Sequence, residues 1–150
     1  MHNKCIKFPD MLKISREAII IRYIIQSRPI LLIFIFGAFT YGMIEIIWRG
    51  YTHPAMLLLG GICLSFIYFL ETRISGINIF YRCLIYSLLI TGAEFIFGIV
   101  LNLWLKLDIW DYSNVPLNVL GQICLPYTAL WYLLSVICCK VCAAFRFIFS

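Results

Sequence analysis

Long apolar stretches dominate this sequence, and their length restricts the chain to one class of fold. Of the 150 residues, 63% are hydrophobic and 13% are charged, whereas about 25% of the residues in an ordinary soluble domain are charged. Because an α-helix rises about 1.5 Å per residue, about 20 apolar residues are needed to cross the hydrocarbon core of a bilayer. Several stretches approach or exceed that length, so the sequence predicts a membrane protein that crosses the bilayer more than once.

Four spanning segments can be placed in a transmembrane domain of residues 29–139. We predict an all-α membrane protein whose four transmembrane helices form two tandem helical hairpins, with spans at about 29–48, 55–72, 76–105 and 118–139. Pro126 falls inside the fourth span, where it would leave the carbonyl group of Gln122 without its helical partner. The sequence therefore predicts a polar position in the first half of that helix.

The N-terminal segment, residues 1–28, differs in character from the rest of the chain. It contains six basic and two acidic residues, and Ile14, Ala18, Ile21 and Ile25 recur at helical spacing on one face. This pattern predicts an amphipathic helix that lies in the inner interface of the membrane. The alternative is a cytosolic extension of the first spanning helix, broken at Pro29.

The distribution of basic residues predicts the orientation of the bundle. With the N-terminus inside, ten of the twelve Lys and Arg residues fall on the cytoplasmic side, leaving Arg49 and Lys106 outside. We therefore expect a multi-pass protein of the cell membrane with both termini in the cytoplasm and a cytoplasmic tail at residues 140–150. The net charge of +5 is explained by this topology, so we expect no binding to nucleic acid.

Two glutamates lie well inside apolar runs. Glu45 occurs in the first span and Glu94 in the third. An acidic side chain in hydrocarbon costs at least a few kcal/mol, so it normally faces the bundle interior and finds a partner, or it is kept protonated. We predict that the two carboxyl groups approach each other in the outer half of the bundle, near Arg49, and form an ion or ligand site.

The loop between the third and fourth spans is rich in aromatic and polar residues. It contains Trp110, Asp111 and Tyr112 and leads to Gln122. We include these four residues in the predicted outer polar site. The aromatic residues can equally be interfacial anchors, and Asp111 can equally cap a turn.

A short internal repeat places glycines at related positions. Leu59–Leu64 and Leu120–Leu125 agree at five of six positions, and each copy follows a glutamate-bearing helix. Small residues allow helices to approach closely in membranes. The glycines that we expect to contribute to helix packing are Gly42, Gly60, Gly61, Gly92 and Gly121.

No pattern typical of a metal or catalytic site is present. The seven cysteines fall mostly in or beside the spans, and the two histidines are His2 and His53. These residues do not form a recognisable metal-ligand set or a nucleophile–base pair. We therefore expect no metal, no cofactor, no catalytic residues and no enzymatic activity.

The sequence resembles a known membrane family in its second half. The stretches that carry the resemblance are Leu107–Ser113, Pro116–Leu125 and Leu130-Trp131, and the similarity covers about Thr40 to Leu134. They are similar to the small bacterial family labelled putative ABC-transporter permease, type IV, or CmpB-like. In the first loop the family's longer members carry Asn-Arg-Gly and a proline-rich segment, where this chain has Trp48-Arg49-Gly50. The resemblance implies an integral membrane protein with a transport role and brings no catalytic residue.

Three functions remain open at this stage. The first is a permease component of a transporter, with Glu45 and Glu94 in an outward-facing site. The chain has no phosphate-binding loop of the Walker type, so this function requires a separate ATPase or another membrane subunit, or a homo-oligomer that completes the pathway. The second is a non-transporting scaffold or sensor subunit of a larger complex. The third, a membrane enzyme, is disfavoured because no nucleophile accompanies the carboxylates.

Overall fold

The computed structural model describes the backbone of residues 8–149 and the side chains of residues 29–149. In chain order, its elements are α1 (Phe8–Arg49), α2 (Pro54–Ile74), α3 (Ile79–Gly98), a π-helix (Ile99–Trp104), β1 (Asn118–Val119), β2 (Ile123–Cys124) and α4 (Leu125–Ile148). The π-helix continues α3 without a break, and β1 and β2 pair antiparallel.

Four helical segments are long and apolar enough to cross a membrane, as predicted. They are Pro29–Arg49, Pro54–Ile74, Ile79–Trp104 and Leu125–Ile148. The chain is therefore a multi-pass α-helical membrane protein.

The predicted amphipathic helix concerns side chains of residues 1–28, which lie outside the described residues. The backbone of α1 is helical from Phe8 and passes through Pro29 without ending there.

The fourth span begins later than expected. We predicted a helix from residue 118, but α4 begins at Leu125, and residues 118–124 form a small hairpin instead. Pro126 lies in the first turn of α4, where a missing N–H costs nothing because the first N–H groups of a helix have no intrahelical partner. α4 then continues to Ile148, so residues 140–148 belong to this helix and do not form a separate tail.

The two copies of the short repeat adopt different conformations. Leu59–Leu64 lies within α2, whereas Leu120–Leu125 includes a turn, β2 and the first residue of α4. Leu120 and Gly121 have positive φ angles of 53° and 66°, which a helix does not contain. The similarity in sequence is therefore not a similarity in local structure.

α1 packs mainly on α2, and α3 packs mainly on α4. Gly37 and Gly60 face each other where α1 and α2 are closest, because a Cβ atom on Gly37 would lie 2.8 Å from the carbonyl oxygen of Gly60. A Cβ atom on Gly61 would lie 2.7 Å from a ring carbon of Phe34. Small residues therefore allow the close approach of these two helices.

The predicted packing role is wrong for two of the glycines. A Cβ atom on Gly92 would have no other atom within 4 Å, so this glycine faces open space. Gly121 lies outside the helices in a left-handed turn, close to the side chains of Asp111 and Ser113. Gly42, by contrast, is in close contact with Leu57 of α2.

Candidate functional site

Glu94 is the most deeply buried acidic side chain among the described residues. It lies on α3 and is 1% exposed. Its Oε2 atom accepts a hydrogen bond of 2.7 Å from the indole Nε1 of Trp131, which lies on α4. Its Oε1 atom accepts a longer hydrogen bond of 3.3 Å from the hydroxyl group of Tyr112. Both partners are neutral, and within the described residues no basic side chain forms a salt bridge with Glu94.

Tyr112 reaches Glu94 from the long loop, residues 105–124, which connects the π-helix to α4 and includes the small hairpin. Its ring stacks on the ring of Tyr127 of α4, with the centroids 4.7 Å apart and the planes 18° from parallel. Burial raises the pKa of Tyr112 above its ordinary value, and the nearby carboxyl group of Glu94 raises it further. The hydroxyl group therefore keeps its proton at neutral pH and can donate it to Glu94 in a hydrogen bond.

Glu45 has a charged partner on its own helix. Its Oε1 atom forms an ion pair with Arg49, one helical turn later, and its Oε2 atom accepts a hydrogen bond of 2.5 Å from the hydroxyl group of Thr52. Arg49 also donates a hydrogen bond of 3.0 Å to the carbonyl oxygen of Ile109 in the long loop. Arg49 therefore neutralises Glu45 and ties α1 to the loop.

A third buried carboxylate lies at the opposite end of the bundle and was not predicted from the sequence. Glu71 of α2 is 3% exposed, forms an ion pair with Arg82 of α3, and accepts a hydrogen bond of 2.6 Å from the hydroxyl group of Tyr86. Arg146 of α4 donates to its backbone carbonyl oxygen at 3.4 Å. Two of the three buried glutamates are thus paired with arginine, and Glu94 is the one that is not, within the part of the chain that the structure describes.

The long loop is fixed by a buried asparagine that sequence reasoning also missed. Asn102 lies in the π-helix and is 6% exposed. Its Nδ2 atom donates to the carbonyl oxygen of Trp110 and to Oε1 of Gln122, both at 2.9 Å. Its Oδ1 atom accepts from the backbone N–H of Ile109 at 2.8 Å. The π-helix, a feature often found at functional sites, therefore presents the side chain that holds the loop over the bundle.

Three of the predicted site residues have structural roles in this loop. The indole nitrogen of Trp110 donates to the carbonyl oxygen of Gln122 at 2.9 Å, and both residues are buried. Gln122 also packs against Gly98 at the end of α3. Asp111 is exposed and accepts hydrogen bonds from the hydroxyl and backbone N–H groups of Ser113, which lower its pKa. Asp111 therefore caps a turn.

Two adjoining cavities lie on the side of the bundle where α1 faces α4; the larger is lined by residues of all four helices, and the smaller mainly by residues of α1 and α4. The larger cavity has a volume of about 480 Å³ and includes Glu94 in its lining, and the smaller has about 340 Å³ and includes Glu45, Arg49 and Tyr112. Trp131 lines both cavities. We call the two together the α1–α4 cleft.

The structure thus brings the two predicted glutamates to one end of the bundle, each with its own partners. Glu45 forms an ion pair with Arg49, and Glu94 accepts hydrogen bonds from Tyr112 and Trp131. Within the described residues, no hydrogen bond joins Glu45 to Glu94. The α1–α4 cleft is the feature that connects them.

The chain matches the family described as putative ABC-transporter type IV over residues 45–148. The chain belongs to this family. Neither a curated protein nor a solved structure matches it.

The region that matches the ABC-transporter type IV family covers residues 45–148, which include all of α2, α3 and α4. Every residue that bonds to Glu94 lies inside this region. Most of α1, which forms the other wall of the cleft, precedes it. The description of the family as putative ABC-transporter type IV agrees with the multi-pass fold.

Proposed function

We propose that this protein is the membrane-embedded permease component of a transporter and that Glu94 is its cation-binding group. The single observation that carries the proposal is the bonding of Glu94. This carboxyl group is 1% exposed, lines a cavity of about 480 Å³ and accepts hydrogen bonds from two neutral groups, with no basic side chain paired to it among the described residues.

In this proposal, the ionised carboxyl group of Glu94 takes its positive partner from outside the protein. Ionised carboxylates in dry surroundings are costly unless a charge compensates them, and acidic residues in spanning helices mark ion and proton pathways for that reason. Glu45 and Glu71 obtain their compensation from Arg49 and Arg82. For Glu94, the α1–α4 cleft is the space from which a proton or another cation can arrive.

The long loop and Arg49 close one end of the cleft in this proposal. Arg49 bonds to Glu45 on α1 and to the carbonyl group of Ile109 in the loop. Tyr112 extends from the same loop to Glu94. A movement of the loop would therefore change the bonding of Glu94 and the access to it together. Outward-facing opening at this end is part of the proposal.

We also propose the orientation and the grouping of the helices. Arg73, Arg82, Lys140 and Arg146 belong to the end of the bundle that contains Glu71, and the excess of basic residues at that end favours its placement in the cytoplasm. The main packing of α1 on α2 and of α3 on α4 supports two helical hairpins. Residues 1–28 would then lie on the cytoplasmic side of the cell membrane.

Four spans are few for a complete transport pathway. We therefore propose that a separate ATPase, another membrane subunit or a second copy of the chain completes it. The exposed apolar side chains along α1, including Phe39 and Ile47 at 66% and 80% exposure, are compatible with contact to lipid or to such a subunit.

A flux measurement in vesicles tests the proposal. Membrane vesicles that contain the protein are given a pH gradient, and sodium and potassium are added in turn while a pH-sensitive dye reports the gradient. We expect at least one cation to collapse the gradient with the wild-type chain and with Asp108→Asn, a control at an exposed carboxylate that lines neither cavity, but not with Glu94→Gln. A response that persists in Glu94→Gln would contradict the proposal.

A non-transporting scaffold or sensor subunit is the second candidate. It is favoured by the fact that both oxygens of Glu94 have protein partners, since a protonated Glu94 could accept from Trp131 and donate to the hydroxyl oxygen of Tyr112 as a satisfied structural group. The absence of a cation response in every vesicle preparation, with the protein correctly inserted, would support this function over the first.

A further inference from the structure

We propose that the α1–α4 cleft binds a lipophilic monovalent cation that enters from the bilayer. This inference rests on the proposed function, because it names the class of substrate for the cation site at Glu94. The observation that motivates it is a single carboxyl group, without a salt-bridge partner among the described side chains, in the wall of a large cavity that is otherwise almost entirely apolar.

The size and lining of the cleft favour an apolar ligand body. The larger cavity has a volume of about 480 Å³, which is within the range of about 300–1,000 Å³ that is typical of sites for small organic molecules. Its walls are formed by side chains such as Phe36 and Met43 of α1 and Leu134 and Ile137 of α4. A small hydrated ion would gain nothing from these walls, whereas an apolar ligand would bury its surface against them.

The charge of the site specifies the headgroup. Glu94 contributes one carboxylate, while the second carboxylate of the cleft, Glu45, is already neutralised by Arg49. One negative charge is therefore available, and it matches one positive charge on the ligand. A divalent cation would leave a charge uncompensated in an apolar cavity, which is unfavourable.

Aromatic rings beside Glu94 add a second attraction for a cation. Trp131 and Tyr41 both line the larger cavity, and their ring centroids lie 6.1 Å apart. The faces of such rings attract organic cations, and tryptophan is the most effective. Trp131 also donates to Glu94, so ring and carboxylate are close enough to act on the same headgroup.

The path into the cleft is lateral. At one end the long loop lies across the bundle, held by Arg49, Asn102 and the stacked pair of Tyr112 and Tyr127. Among the described residues, α1 packs much less closely on α4 than on α2, and lining residues at the edge of the cleft are exposed, with Phe39 at 66% and Ile137 at 57%. In a membrane, this edge faces lipid. A ligand that partitions into the bilayer can therefore reach Glu94 without crossing the loop.

The test is equilibrium binding of radiolabelled tetraphenylphosphonium to the purified full-length protein in lipid nanodiscs, with neutral triphenylphosphine oxide and small tetramethylammonium as competitors. We expect saturable binding that Glu94→Gln weakens by at least about tenfold and that Asp108→Asn, at an exposed position that lines neither cavity, leaves unchanged. Triphenylphosphine oxide and tetramethylammonium should each compete weakly, because one lacks the charge and the other lacks the apolar surface.

A second pair of variants keeps the test valid if Glu94→Gln does not fold. Ile137→Trp enlarges an exposed residue that lines both cavities, so it should fill the cleft and reduce binding. Leu88→Trp adds the same ring to an exposed position of α3 that lines neither cavity, at 58% exposure, and should bind as the wild type does.

Three results would overturn the inference. Equal binding to Glu94→Gln would show that the carboxylate is not involved, and equal competition by triphenylphosphine oxide would indicate a cavity for neutral apolar matter such as a lipid acyl chain. Absence of tetraphenylphosphonium binding, together with a Glu94-dependent flux of an inorganic cation in the vesicle assay, would refute the lipophilic ligand while leaving the transport proposal intact.

Discussion

The indole nitrogen of Trp131 on α4 donates a hydrogen bond of 2.7 Å to the carboxyl group of Glu94 on α3. Trp131 is 9% exposed and Glu94 is 1% exposed, so water does not replace this bond when it is removed. The same indole ring lines both cavities of the α1–α4 cleft. Trp131 therefore both hydrogen-bonds Glu94 and shapes the wall of the α1–α4 cleft.

Replacing Trp131 by Phe should destabilise the protein by about 1–3 kcal/mol, because it removes a donor from a buried acceptor and leaves most of the ring volume in place. The measurement is the free energy of unfolding in mixed micelles titrated with denaturing detergent. Trp104→Phe is the matched control, since Trp104 is 77% exposed and should change little. An equal loss in both variants would indicate that the hydrogen bond to Glu94 contributes nothing.

Gly60→Ala should be destabilising, whereas Gly92→Ala should be neutral or slightly stabilising. A methyl group on Gly60 would meet Tyr41 and the carbonyl oxygen of Gly37, the latter at 2.9 Å, so α1 and α2 would have to separate. We expect a cost of about 1–3 kcal/mol, as for other overpacked positions. Gly92 has open space around it, and alanine is the better helix former. The thermal unfolding temperatures of the two variants provide the comparison, and the reverse order would contradict the helix contact.

Arg82→Met should cost about 3–5 kcal/mol of stability, because it leaves the carboxylate of Glu71 buried without its charged partner. The double variant Glu71→Gln with Arg82→Met should cost less than the single one, since no unpaired charge remains. Unfolding in denaturing detergent measures both. Glu71→Gln alone is measured as well. If the double variant loses as much free energy of unfolding as Arg82→Met and Glu71→Gln together, the ion pair seen between α2 and α3 does not couple the two residues.

The sequence was sufficient to predict the four spans, and it placed Arg49 near the two glutamates without pairing it with Glu45 in particular. The spans follow from apolar length alone, and residues four apart on a helix are neighbours whatever the tertiary structure. The start of α4 was predicted wrongly because residues 118–124 are apolar enough to read as part of a span. The proline at position 126 was the available signal for a later start, since proline is favoured in the first turn of a helix.

Other features depend on contacts between distant parts of the chain. Glu71 lies at the end of a span beside Arg73, so its sequence context is that of an ordinary interfacial charge, and only the packing of α3 and α4 buries it. Asn102 could have been singled out by the reasoning applied to Glu94, because it is a polar residue in an apolar run. Its three partners in the loop could not have been predicted, since the loop contains residues with positive φ angles, Lys106 and Asp108 among them.

The turn capped by Asp111 should loosen as the pH falls. The hydroxyl and backbone N–H groups of Ser113 hold the pKa of Asp111 below its ordinary value. Because the pKa of Asp111 is lower in the folded state, its carboxylate stabilises the fold fully above the unfolded-state pKa of this group. That stabilisation is lost as the pH falls through the folded-state pKa of Asp111. Hydrogen-exchange protection of the Ser113 amide should therefore decrease below about pH 4. Asp111→Asn should show no such change over this range, and an identical decrease in both proteins would refute the role of the carboxylate.

The most direct test of the central claim is the reaction of the three buried glutamates with a hydrophobic carbodiimide, mapped by mass spectrometry of the protein in nanodiscs. Such reagents modify carboxyl groups that lie in apolar surroundings and carry a proton. A buried carboxyl group without an arginine partner can carry a proton and should react, whereas carboxylates paired with arginine stay ionised and should not react. We predict modification of Glu94, reduced by a cation that occupies the cleft, and none of Glu45 or Glu71. Modification of Glu45 or Glu71 at the same rate, or an unreactive Glu94, would contradict the account.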